Sequence, residues 1–264
     1  MTMLFLREGW IWIATAILGV MVASVAAAQS EPGTPVEFRI DTDVYVDPSR
    51  PPVASTQTLF LQDRIVDWDD ASRSMMRVDL RSQQVELADF KSQRRFRIDI
   101  THLASRLESL KSQLTPPQLA AWSATKEPVE DQGNYLLESG NLRYRFRAAV
   151  PAHPEMARAY AEFADLSAQV SAVYPPFKPP LLRLQLNDFL GSRALLPIEI
   201  QLTDLRSQSK ESITARILVQ NTLTSQDRQR VKDWDVLIQT LKLVSDSEYF
   251  PTERSAQLRT GTSK

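Results

Sequence analysis

The chain has 264 residues, no cysteine, two histidines and a formal net charge of −1. An apolar share of 43% and a charged share of 24% fit a globular protein built as one large domain or two fused halves. Without cysteine there are no disulfides, thiolate zinc sites, thiol catalysis or N-terminal lipidated Cys, and the balanced charge gives no general attraction for nucleic acid or anionic lipid.

The N-terminus reads as a secretory signal over residues 1–28. Arg7, partly offset by Glu8, precedes an apolar run from Trp10 to Val25. Ala26 and Ala28 take the small-residue places of a cleavage site, which puts the mature N-terminus at Gln29. An uncleaved anchor is the alternative, since Trp10 to Ala28 is about long enough to span a bilayer. In that case the leader is the only membrane contact expected. Residues 29–35 form a polar linker.

Residues 36–46 alternate as a strand with one wet face. Val36, Phe38, Ile40, Val44 and Val46 point one way, and Glu37, Arg39, Asp41 and Asp43 the other. Strands follow at 55–62, 64–68, 74–80, 84–90 and 94–100, spaced like an antiparallel meander. No internal repeat is apparent. Thr101 reads as the cap of a helix whose leucines run from Leu103 to Leu114, broken by Pro116 and Pro117. A short helix at 119–125 and a hairpin of 134–139 with 141–150 come next. Pro154 opens a helix to about Val173. The stiff tract 174–180 is the one possible internal boundary. Beyond it the pattern predicts an apolar helix at 181–190, strands at 195–203 and 212–221, and a final helix capped by Ser225. The domain ends near 244, and 245–264 reads as a polar, frayed tail. Grouped strands and helices of this kind argue for an α+β fold, with a large curved antiparallel sheet packed on helices.

Chemistry-bearing motifs are scarce. Asp67, Asp69 and Asp70 sit at a strand end, where alternating carboxylates suit a hard cation. They lack the Gly and distal Glu of a calcium loop and read as a solvated turn. His102 and His153 have no local acid partner, and a zinc site needs at least three ligands. Ser105, one turn after His102, is the best serine of a poor set. After the leader only Gly33, Gly133, Gly140, Gly191 and Gly261 remain, too scattered for a phosphate cradle. No metal, cofactor or catalytic residue is therefore expected. Arg95 and Arg97 share one strand face, and Arg143, Arg145 and Arg147 share another. Both sets read as partners of carboxylates on neighbouring strands, such as Glu37, Asp41 and Asp43, rather than as a phosphate strip, with Arg143, Arg145 and Arg147 facing solvent. Phe60, Trp68, Phe96, Trp122, Tyr144, Phe146 and Trp234 fall at inward positions. They either line a cavity under the sheet or fill a core.

The order of leader, alternating first strand, meander, helices, strands and C-terminal helix resembles the periplasmic lipoprotein-carrier superfamily over residues 36–244. The opening from Phe38 to Val46 also resembles uncharacterised exported bacterial proteins. The first resemblance implies a half-barrel sheet wrapped over helices, with lipid or a lipoprotein as partner. It rests on element order and carries no site residue across. The expectation is a non-enzymatic exported envelope protein, periplasmic or extracellular, that binds an apolar ligand or lipidated partner. The alternative is a structural or protein-interaction module with a filled core.

Overall fold

The computed structural model describes residues 36–174, 180–207 and 212–250. The leader, the linker, most of the proline tract and the end of the tail lie outside them.

The first six strands run as a meander: β1 (Phe38–Tyr45), β2 (Ala54–Phe60), β3 (Arg64–Asp69), β4 (Ser74–Asp79), β5 (Gln84–Asp89) and β6 (Arg94–Asp99). Three of the hairpins recur every ten residues on one turn sequence, Asp-x-x-Ser-x, at Asp69, Asp79 and Asp89. In each, the Asp Oδ1 accepts the backbone N–H groups two and three residues on. The residue four on (Arg73, Gln83, Gln93) takes a left-handed φ between 53° and 56°. The expectation of no internal repeat is corrected here. The repeat is carried by the turn polars, while the strands between them share only alternation.

Helices α1 (Ile100–Ser112) and α2 (Pro116–Trp122) follow, then β7 (Val129–Asp131), β8 (Asn134–Glu138) and β9 (Leu142–Ala149). The N-cap of α1 is Asp99, not Thr101. Next come α3 (Pro154–Val173), α4 (Leu181–Ser192), β10 (Leu196–Asp204), β11 (Ser212–Gln220), α5 (Ser225–Gln239), β12 (Lys242–Leu243) and α6 (Asp246–Tyr249). Thr224, not Ser225, caps α5, in a reciprocal box with Asp227.

The described strands form one open sheet in the order β12-β6-β5-β4-β3-β2-β1-β11-β10-β9-β8-β7. Every pairing is antiparallel except β12 with β6. The pairing of β1 with β11 joins the meander to the second block, so one sheet contains strands from both sides of residues 175–179. The fold is α+β with a curved, unclosed sheet, as the grouping of strands implied.

The inner face carries Phe38, Ile40, Phe60, Val78, Val85, Leu87, Tyr144 and Phe146. Helices α3 and α4 cover it with Met156, Tyr160, Phe163, Leu182, Leu186 and Phe189, and α1 adds Leu103. Phe38 and Phe60 stack at 4.1 Å, and Phe163 meets Phe60 edge-on at 5.8 Å. The opposite face of the meander carries Leu59, Val66, Met75 and Ala88, and α5 covers it through Val231, Trp234 and Ile238.

Charge also fixes α5. Glu86 is 3% exposed and accepts from Arg77 at 2.5 Å, Arg95 at 2.9 Å and Arg97 at 2.7 Å. Arg77 and Arg64 reach on to Asp235 of α5. Residues 245–250, expected to belong to a frayed tail, instead form α6 and its end. Tyr249 and Phe250 pack against Phe96 and Tyr174, because two aromatics there outweigh the polar surroundings.

Candidate functional site

The seven aromatics expected under the sheet separate into three groups. Phe60, Phe96, Tyr144 and Phe146 lie in the inner core. Trp68 and Trp234 stack on each other at 5.4 Å on the opposite face, under α5. Trp122 packs with Leu107, Leu181 and Leu184 in a smaller cluster. They do not share one space, because the meander is buried on both faces and period-2 alternation cannot say which face looks inward.

The acidic group is not a solvated turn throughout. Asp69 is buried and caps its hairpin. Asp67 points into the inner core and accepts from Thr58 Oγ1 at 2.7 Å. Burial pushes its carboxyl up to about 7. Asp70 is exposed and accepts from Trp68. Among the described residues no group of three His, Asp or Glu side chains is arranged to hold a metal.

His102 accepts from Arg106 Nε at 3.1 Å, in a cleft of about 260 Å³ with Tyr174 and Asp246. Ser105 Oγ donates to the carbonyl of Thr101, so the two are not joined as nucleophile and base. His153 is the N-cap residue of α3.

The arginine faces pair with neighbouring strands. Arg143 meets Glu138 of β8 at 2.5 Å, and Arg147 meets Glu199 of β10 at 3.5 Å. Arg145 is exposed without a partner among the described residues. The carboxylates of β1 are not the partners, since β11 and β10 lie between β1 and β9. Asp41 pairs with Arg39, and Glu37 with Arg228.

The polar groups most at odds with their surroundings lie between α3 and α4, where no site was expected. Arg183 is 2% exposed. Its Nη2 reaches the Tyr160 hydroxyl at 3.4 Å, and its guanidinium lies 5.9 Å from the centre of the Tyr144 ring. Nε and Nη1 have no hydrogen-bond partner. One turn on, Asn187 is fully buried and donates to Asp165 Oδ1 at 3.0 Å, leaving its own Oδ1 unpaired. Gln169, also buried, leaves Oε1 unpaired. Burial pushes Asp165 up to about 7, against the opposing pull of Asn187 and Arg183. The backbones approach closely here, and a Cβ on Gly191 would come 3.2 Å from that of Ala161. The signal in the sequence is an arginine inside the run L-L-R-L-Q-L, with an asparagine four residues later on the same helix face.

No family model matches the chain, and no curated protein is detectably similar to it.

Proposed function

We propose that this is a non-enzymatic binding protein, exported through its N-terminal leader into the cell envelope. It holds an apolar ligand, or the acyl part of a lipidated partner, between the inner face of its sheet and the α3–α4 pair. The observation that carries the reading is the seam between these two helices. It contains Arg183, Asn187 and Gln169, each with at least one buried polar atom unpaired, inside a mainly apolar layer. A buried donor or acceptor left without a partner costs roughly 1–3 kcal/mol. The cover is therefore held less firmly than the hydrogen-bonded sheet beneath it, as an element that opens to admit a ligand requires.

A filled-core interaction module is the second reading, favoured by the Phe38–Phe60 stack and Phe163 at the centre of the inner face. Protein purified from its native envelope and extracted with organic solvent separates the two. Co-purifying lipid, together with saturable uptake of a fluorescent fatty acid by the delipidated protein, is expected. A protein that yields no lipid and takes up no probe leaves the filled-core module.

A further inference from the structure

Arg183 demands more explanation than a loose seam. A guanidinium keeps its charge at any ordinary pH and carries five N–H donors. Buried, it needs a counter-charge or a full set of acceptors, because an isolated interior charge is strongly unfavourable. Here it has one long hydrogen bond to a neutral hydroxyl and the face of one tyrosine ring. No carboxylate oxygen lies within ion-pair distance of it among the described residues. Asp165, which feels its charge, spends one oxygen on Asn187. Burial also pushes its carboxyl up, toward the neutral form, which weakens it as a counter-ion. The two unpaired nitrogens, Nε and Nη1, carry three N–H donors between them, enough to receive more than one oxygen of an anionic group. The Tyr144 ring and the Tyr160 hydroxyl lie against the charge, and both residues belong to the apolar inner core to which α4 adds Leu182 and Leu186 and α3 adds Phe163.

We propose that Arg183 receives the anionic oxygen head group, carboxylate or phosphate, of an amphiphile whose apolar chain lies between α3–α4 and the sheet. The inference rests on the binding reading above and assigns its ligand class. A neutral lipid would leave the guanidinium unpaired. A small free anion would satisfy it but would gain nothing from the apolar walls.

The test is a calorimetric titration of delipidated protein with decanoate, decanol, acetate and inorganic phosphate. The wild type should bind decanoate at least tenfold more tightly than decanol, and acetate and phosphate much more weakly than either. Arg183→Met should lose the preference and bind decanoate and decanol alike, while Asp165→Asn should keep it. Should Arg183→Met not fold, the ¹⁵N resonance of Arg183 Nε–H in the wild type serves instead. It should shift on adding decanoate and stay in place on adding decanol. Binding of neither amphiphile overturns the apolar-ligand reading and this inference with it. Equal binding of both by the wild type leaves that reading standing and overturns the role of Arg183. So does a decanoate preference that survives Arg183→Met. Tight binding of acetate or phosphate alone would make this a small-anion site and overturn the amphiphile.

Discussion

Asp67 shows how one residue can be placed correctly on its strand and misread in its surroundings. Its alternation with Ile65 and Asp69 is visible in the sequence, but an aspartate among valines and tryptophans is naturally assigned to the wet face. The structure turns that face inward, and Thr58 Oγ1 donates a hydrogen bond to it. A consequence in pH follows. The unfolded carboxyl loses its proton near pH 4, the folded one near 7. Between these values the folded state binds the additional proton, so stability falls as pH rises through the window and levels off above it. Asp165 acts in the same window with the same sign. Asp79, held low by the N–H groups of Ser82 and Arg81, acts only on acidification below the usual carboxylate range. Urea unfolding should therefore show the wild type losing about 2 kcal/mol or more between pH 5 and pH 8. Asp67→Asn retains an acceptor for Thr58 and should flatten part of that slope. A slope unchanged by the substitution would mean that Asp67 ionises freely in the folded protein.

At the scale of elements, helix α3 and the strands from β3 to β6 lie within a residue of their expected bounds. Each of these carries a clean period with a turn or proline at its end. The helix caps were each misplaced by a residue or two. Aspartate and threonine both cap well, and only backbone geometry selects between adjacent candidates. What alternation could not convey was burial of the meander on both faces, which moved Trp68 and Trp234 out of the inner core. Two predictions separate the forces that hold α5 there. Glu86→Gln removes the charge shared by Arg77, Arg95 and Arg97. It should cost about 3 kcal/mol, the low end for breaking a buried ion pair, since the arginines keep some contact with water. Chemical denaturation measures this, and a cost below about 1 kcal/mol would mark the cluster as an ordinary surface network. Trp234→Ala removes a half-buried ring stacked on Trp68. It should cost less than the roughly 3–5 kcal/mol of a fully buried aromatic. Fatty-acid uptake should not change, because Trp234 lies across the sheet from the proposed ligand space.

At the scale of the whole molecule, the fold class was legible because strands and helices are grouped along the chain. The joining of its two halves was not. The β1–β11 pair links residues far apart in the chain, from Arg39 with Gln220 to Tyr45 with Thr214, and neither strand carries a local mark of its partner. The α3–α4 seam was hidden for another reason: in the sequence its polar residues look like the solvated side of an amphipathic helix. This architecture predicts a hierarchy of opening. The central strands β1, β2 and β11 are hydrogen-bonded on both edges and covered by the inner core, so they should exchange their amide hydrogens only through global unfolding. Helices α3 and α4 keep their own backbone bonds but meet through the unpaired groups of Arg183, Asn187 and Gln169. Native-state hydrogen exchange in low denaturant should find their amides exchanging together as one unit. Its free energy should lie about 3 kcal/mol or more below the global value, roughly 1 kcal/mol or more for each of the three residues with unsatisfied groups in that seam. Added decanoate should raise the opening energy of this unit first, because a ligand stabilises only the state that binds it. If α3 and α4 exchange at the same free energy as β1, the cover is part of the cooperative core, and a ligand can enter only when the whole protein unfolds.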